Sequence, residues 1–168
     1  MNVSLTVGGL AVGLAVLVWY LLRWWHSQKA SKGSKDWRAL SPFGSGVGLG
    51  ILAASCAGGI LGTIAGWIRS LSNTAGDKVV GGATGSGTQA LGTAGVPALT
   101  GGGALLTVIA FVALFALWKK IKDTSRKPLA LGSVCGCTLG MSSGVVGSVA
   151  LALVPLVNNA GDTIIGVI

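Results

Sequence analysis

Four apolar blocks alternate with polar or charged stretches along the chain. The first runs from Val3 to Leu22 and is interrupted only by Ser4, Thr6 and Tyr20; the others run from about Phe43 to Ile68, Gly103 to Trp118 and Leu129 to Val157. As helix, each is long enough to cross a hydrocarbon core of about 30 Å. The pattern predicts an all-α integral membrane protein with four transmembrane helices. Pro42 and Pro128 stand just before the second and fourth blocks. Proline at the first helical position gives up no intrahelical bond, so both are read as helix starts. Pro155, near the far end of the fourth block, is expected to shorten or kink it.

The first block ends in Trp19-Tyr20 followed by Arg23-Trp24-Trp25. Aromatic side chains backed by a cation anchor a helix at the membrane interface. A cleavable signal peptide has the reverse order, with cations before the apolar stretch and a small-residue cleavage site after it. The block is therefore read as a retained transmembrane helix.

Composition narrows the class further. Only 10% of the 168 residues are charged, 51% are hydrophobic, 29 are glycine and none is glutamate, while the net charge is +8. Mean hydropathy is +0.77. An ordinary soluble domain carries roughly a quarter charged residues, and a disordered basic tail lacks apolar runs, so both classes are excluded.

The charge is concentrated in two connections. One holds Arg23, Lys29, Lys32, Lys35 and Arg38 against Asp36; the other holds Lys119, Lys120, Lys122, Arg126 and Lys127 against Asp123. The remaining charges, Arg69 and Lys78 against Asp77 and Asp162, cancel. By the positive-inside rule both basic turns face the cytoplasm, and both termini and the loop from about Arg69 to Thr100 face outward. Within that loop the uncharged, glycine-rich run from Gly81 to Gly95 reads as a flexible linker.

The chain also matches itself at one constant offset. Gly59 to Ala65 falls on Gly144 to Ala150 without a gap, and the same offset pairs Asn73 with Asn158, Ala75-Gly76-Asp77 with Ala160-Gly161-Asp162, and Val79-Val80-Gly81 with Ile164-Ile165-Gly166. The predicted organisation is a first hairpin repeat over residues 1–82, an outer linker over 83–100 and a second hairpin repeat over 101–168. An even number of spans per repeat gives both copies the same orientation, unlike the inverted repeats of many secondary transporters.

The returning helix of each repeat carries small residues every four positions: Gly46, Gly50, Ala54, Gly58, Gly62 and Gly66 in one, and Gly132, Gly136, Gly140, Gly144 and Ser148 in the other. Four residues is close to one helical turn, so each row forms a smooth stripe on which another backbone can approach, a glycine-zipper pattern. Lipid supplies no hydrophobic force between helices, which makes such packing a main source of association. The stripes serve either to pack the helices of one chain or to join copies into a homo-oligomer. The first and third helices, rich in Leu, Val, Phe and Trp, are the expected lipid-facing partners.

Reaction chemistry is absent from the pattern. No ionisable side chain lies mid-span, which counts against a proton-coupled carrier but not against a passive pore lined by Ser, Thr and backbone. Cys135 and Cys137 project roughly 200° apart around a helix, a poor geometry for joint ligation, so with Cys56 they are read as packing residues and no metal or cofactor is expected. Asp77 and Asp162 are read as caps that start short interfacial helices at Lys78 and Thr163, with Asn73 and Asn158 in the same turns. The competing reading is an outer ring of carboxylates that attracts cations at a pore. The basic turns are expected to touch anionic lipid headgroups at about 1 kcal/mol per cation. Direct nucleic-acid binding, with Trp24, Trp25 and Trp37 stacking on bases, is the weaker alternative. Without a nucleotide-binding loop, catalytic triad or carboxylate pair, no enzyme is expected.

Four spans with basic inner turns, the stretch Gly58-Gly-Ile-Leu-Gly-Thr-Ile-Ala-Gly66 and Asn73-Thr-Ala-Gly-Asp77 resemble the small Spd-type plasmid spread proteins of mycelial actinobacteria. The resemblance implies a non-enzymatic role in the cell membrane in conjugative spread of plasmid DNA, alongside a DNA translocase as partner. Two other functions use the same ingredients: an oligomeric pore such as a holin, and a pilin-like hairpin filament subunit.

Overall fold

The computed structural model describes residues 4–30, 37–85, 89–92, 95–121, 123–142 and 145–167. These form six α-helices: α1 (Val7–Ala30), α2 (Ser41–Ser55), α3 (Gly59–Thr84), α4 (Gly101–Leu117), α5 (Asp123–Leu139) and α6 (Val145–Val167), with a 3₁₀ turn at Trp37–Ala39 before α2. There is no strand among the described residues; Thr6 and Ala90 make one isolated antiparallel bridge, which lays part of the linker beside the start of α1.

The segments Val7–Ser27 and Gly147–Val167 are long and apolar enough to cross a membrane. Trp37–Ser55 and Gly59–Thr84 qualify only as a pair, and the pair is bent by 108°. The second and fourth apolar blocks are thus not the continuous helices their composition predicts. In the second, Cys56 leaves the helix in an extended conformation and Gly59 adopts a left-handed φ of +72°, a conformation that glycine enters without steric cost. The carbonyls freed at the end of α2 find partners elsewhere: Ala53 accepts from the Cys56 N–H, Ala54 from Arg69 Nη2 at 3.4 Å, and Ser55 from the Leu99 N–H. A helix end buried without such partners is costly, so the break stands because distant groups satisfy it.

Pro42 does occupy the first turn of α2. Pro128, by contrast, lies inside α5, which begins at Asp123. The acidic side chain in its first turn suits the positive end of the helix, and a proline so near the start removes only one backbone bond. Pro155 likewise sits within α6, which continues to Val167.

At the centre α2 and α5 run parallel in close contact. Tyr20 of α1 stacks on Phe43 with ring centroids 4.2 Å apart, and both are buried with Cys135 and Leu139. On the other side Ala150 and Val154 of α6 bury against Ile51 and Leu52. At the bend, Ala65 of α3 packs on Ala53, Ala54 and Cys137. The outward faces stay apolar: Leu14, Val18 and Leu22 on α1, Ile60, Trp67 and Leu71 on α3, and Val112 and Phe115 on α4 are all exposed.

Candidate functional site at the helix crossings and the basic end

The residues that pair at the constant offset build two matching clamps. In the first, Asn73 of α3 accepts the Thr6 N–H on Oδ1 at 3.3 Å and donates from Nδ2 to the Ser4 carbonyl at 2.8 Å. One turn on, Asp77 accepts the Thr6 hydroxyl at 2.8 Å. Thr6 Oγ1 in turn accepts the Gly9 N–H, capping the start of α1. In the second, Asn158 of α6 accepts the Thr100 N–H at 3.0 Å and donates to the Ala98 carbonyl at 3.2 Å. Asp162 accepts the Thr100 hydroxyl at 2.9 Å, and Thr100 caps α4 through the Gly103 N–H.

Backbones meet at both clamps. A Cβ on Gly8 would strike the backbone of Gly76 and Asp77, and one on Gly102 would strike Gly161 and Asp162. Asp77 and Asp162 therefore lie inside α3 and α6 and start no new helix. They hold the N-cap threonine of the preceding antiparallel helix, which corrects the cap expectation. The signal for Thr6 and Thr100 was present as Leu-Thr-x-Gly-Gly at both Leu5–Gly9 and Leu99–Gly103. It falls at a different offset from the Asn and Asp pairs, because Thr6 and Asn73 are 67 positions apart whereas Thr100 and Asn158 are 58. A single sliding offset passes over it.

The glycine rows divide unevenly. A Cβ on Gly46 would meet the Leu129 carbonyl, on Gly50 that of Ser133, on Gly132 that of Phe43, and on Gly136 that of Val47. The α2 and α5 stripes are thus used on each other within one chain. Gly140 abuts Ile51, Gly62 abuts the Cys56 carbonyl at the bend, and Gly66 is buried in α3. Gly58 has open space around it and belongs to the bend, which corrects its place in the packing stripe. Gly144 lies outside the described residues.

The cysteines diverge as their spacing requires. Cys135 Sγ faces the Gly13 carbonyl of α1 at 3.6 Å and Cys137 Sγ the Gly50 carbonyl of α2 at 3.4 Å. No group of three metal-ligating side chains comes together among the described residues. Arg69, expected in the outer loop, is instead buried at the bend. Its guanidinium there supplies positive charge at the negative end of α2.

At the opposite end of α2 and α5 the cations of the described residues divide between helices and turns, with Arg38 in the 3₁₀ turn and Lys119 and Lys120 in the turn after α4. Helix α1 continues to Ala30, carrying Arg23 and Lys29, and α5 carries Arg126 and Lys127. Arg23 lies over the Trp19 ring at 5.5 Å. Trp24 packs against Trp37 at 5.4 Å, and Tyr20 donates its hydroxyl proton to the Ala39 carbonyl. Arg126 pairs with Asp123 at 2.7 Å. Lys32, Lys35 and Lys122 lie outside the described residues. The chain matches no family model, no curated protein and no solved structure.

Proposed function

We propose that the chain is a non-enzymatic, multi-pass protein of the cell membrane, built from two tandem repeats of like orientation and acting in conjugative spread of plasmid DNA. The recurrence of the Thr–Asn–Asp clamp carries the repeat. Each copy ties an antiparallel helix pair at its outer end, and the parallel α2–α5 seam joins the two copies, as a tandem repeat with an even number of passes requires. Exposed apolar faces on α1, α3, α4 and α6 support contact with lipid, since soluble monomers expose only small contiguous apolar patches. The basic end then faces the cytoplasm. With the α2 and α5 stripes occupied internally, self-association falls to other faces.

The role in plasmid spread rests on the resemblance to Spd-type proteins, and a cytoplasmic basic end is well placed to meet a DNA translocase. Deletion of the coding sequence from a conjugative element tests it: spread within the recipient falls while the first transfer event persists, and the wild-type chain restores it. Undiminished spread overturns the reading. Release of cytoplasmic contents on expression favours a holin-like pore instead, and sedimentable fibres favour a filament subunit.

A further inference from the structure

A cavity of about 600 Å³ opens at the basic end, between the last turns of α1 and the starts of α2 and α5. Arg23, Arg38 and Lys127 line it, each from a different segment, and among the described residues its lining carries no carboxylate. The hydroxyls of Thr124 and Ser125 add hydrogen-bond donors, while that of Ser27 donates to the Trp24 carbonyl at 2.8 Å. Two further features favour an anion. The N-terminal ends of α2 and α5 both border the cavity, and helix N-termini carry partial positive charge. The acidic side chain among the described residues at this end, Asp123, is already paired with Arg126 at 2.7 Å.

The walls are not uniformly polar. Trp19, Tyr20 and Trp24 form one side, and Trp19 continues into the exposed face of α1 that holds Val18 and Leu22. A ligand suited to this space has a compact anionic head and an apolar remainder that leaves along α1. Arginine matches phosphate by paired, planar hydrogen bonds, and lysine adds a point charge. We propose that the cavity is a binding site for the phosphate headgroup of an anionic phospholipid, whose acyl chains lie against α1. The proposal deepens the membrane reading and rests on it, but it is more specific than diffuse attraction between a basic surface and lipid.

Titration of the full-length protein in non-ionic detergent with short-chain phosphatidylglycerol tests the assignment, with the rise in melting temperature as readout. A saturable rise is expected, with none from phosphatidylcholine of the same chain length or from inorganic phosphate. Replacing Arg23 and Lys127 by Gln should weaken binding by about 25-fold, at about fivefold per cation. Replacing Lys119 and Lys120 by Gln removes the same charge outside the cavity and should change it less than twofold. Ser125→Trp, which fills the space and removes no charge, should also abolish the rise; it keeps the test decisive if the double variant misfolds. Equal weakening by the two charge-matched doubles overturns the site, as does saturation by inorganic phosphate at the concentration that suits the lipid. A single-stranded oligonucleotide that gives the same rise, with the same dependence on Arg23 and Lys127, overturns the lipid assignment. Because the titration reads the cavity in detergent, its failure is separable from a failure of the membrane orientation, which cysteine accessibility reads in cells.

Discussion

Thr6 and Asp77 stand 71 positions apart and share a hydrogen bond of 2.8 Å, and Thr100 and Asp162 repeat the bond at 2.9 Å. In each pair one threonine oxygen does two things: it donates its proton to a carboxylate on the returning helix and accepts the N–H that would otherwise be orphaned at a helix start. The clamp thereby couples the beginning of one helix to the middle of another. Closing a long loop costs little more than closing a medium one, so the nine extra residues between the partners in the first clamp are easily accommodated.

Asp77→Asn is expected to be tolerated, since an amide oxygen still accepts the Thr6 proton, whereas Asp77→Ala should cost about 1.5–3 kcal/mol, as for loss of a hydrogen bond to a charged group. Thr6→Val removes the same bond together with the cap, and in a double-mutant cycle with Asp77→Ala the two losses should be less than additive. Asp162→Ala should cost less, because Asp162 is exposed whereas Asp77 is half-buried. Thermal unfolding in detergent of the four single variants and the double measures these differences. Equal stability of wild type and Asp77→Ala would mean that the clamp contributes nothing.

Gly46, Gly50, Gly132 and Gly136 each face a backbone carbonyl across the α2–α5 seam, and there a backbone cannot retreat as a flexible side chain would. Alanine at Gly46 or Gly136 should force the helices apart and lower folded yield, at a cost of about 1–3 kcal/mol for overpacking. Gly44→Ala has open space around it and should leave stability unchanged or slightly raised, because alanine favours helix. Size-exclusion profiles of the variants provide the comparison.

Cys135 and Cys137 are almost wholly buried, at 0% and 2% exposure, while Cys56 at the bend is partly open. A maleimide should therefore label the folded protein at Cys56 and reach all three only after denaturation. Mass spectrometry of digested protein reads the sites. Rapid labelling of Cys135 in the folded state would contradict the packing of α5 against α1.

Orientation is tested with single cysteines in a background where the three native ones are replaced by alanine. A membrane-impermeant reagent should reach Ala83→Cys, beyond the α3 clamp, in intact cells, and Thr124→Cys, at the basic start of α5, only after permeabilisation. The opposite pattern would invert the topology.

Much of this architecture is a local property of the sequence and is visible there. Long apolar runs with few charges make helices whose backbone groups are satisfied within the segment, which is what lipid demands. Pro42 marks a helix start because its missing N–H matters least there. The pairing of Asn73 with Asn158 and of Asp77 with Asp162 is legible because both pairs fall at one constant spacing. The positions where α2 and α5 touch follow the four-residue glycine rows, since small residues alone allow that approach. What the tertiary structure decided depends on groups far away in the chain. The bend after Ser55 stands because Arg69 and the Leu99 N–H meet carbonyls that a continuous helix would have satisfied itself. Asp77 clamps Thr6 instead of capping a new helix because α1 crosses α3 at Gly8 and Gly76, where two residues without Cβ atoms let the backbones meet. A local pattern can state which groups need partners; only the packed chain decides which distant residue supplies them.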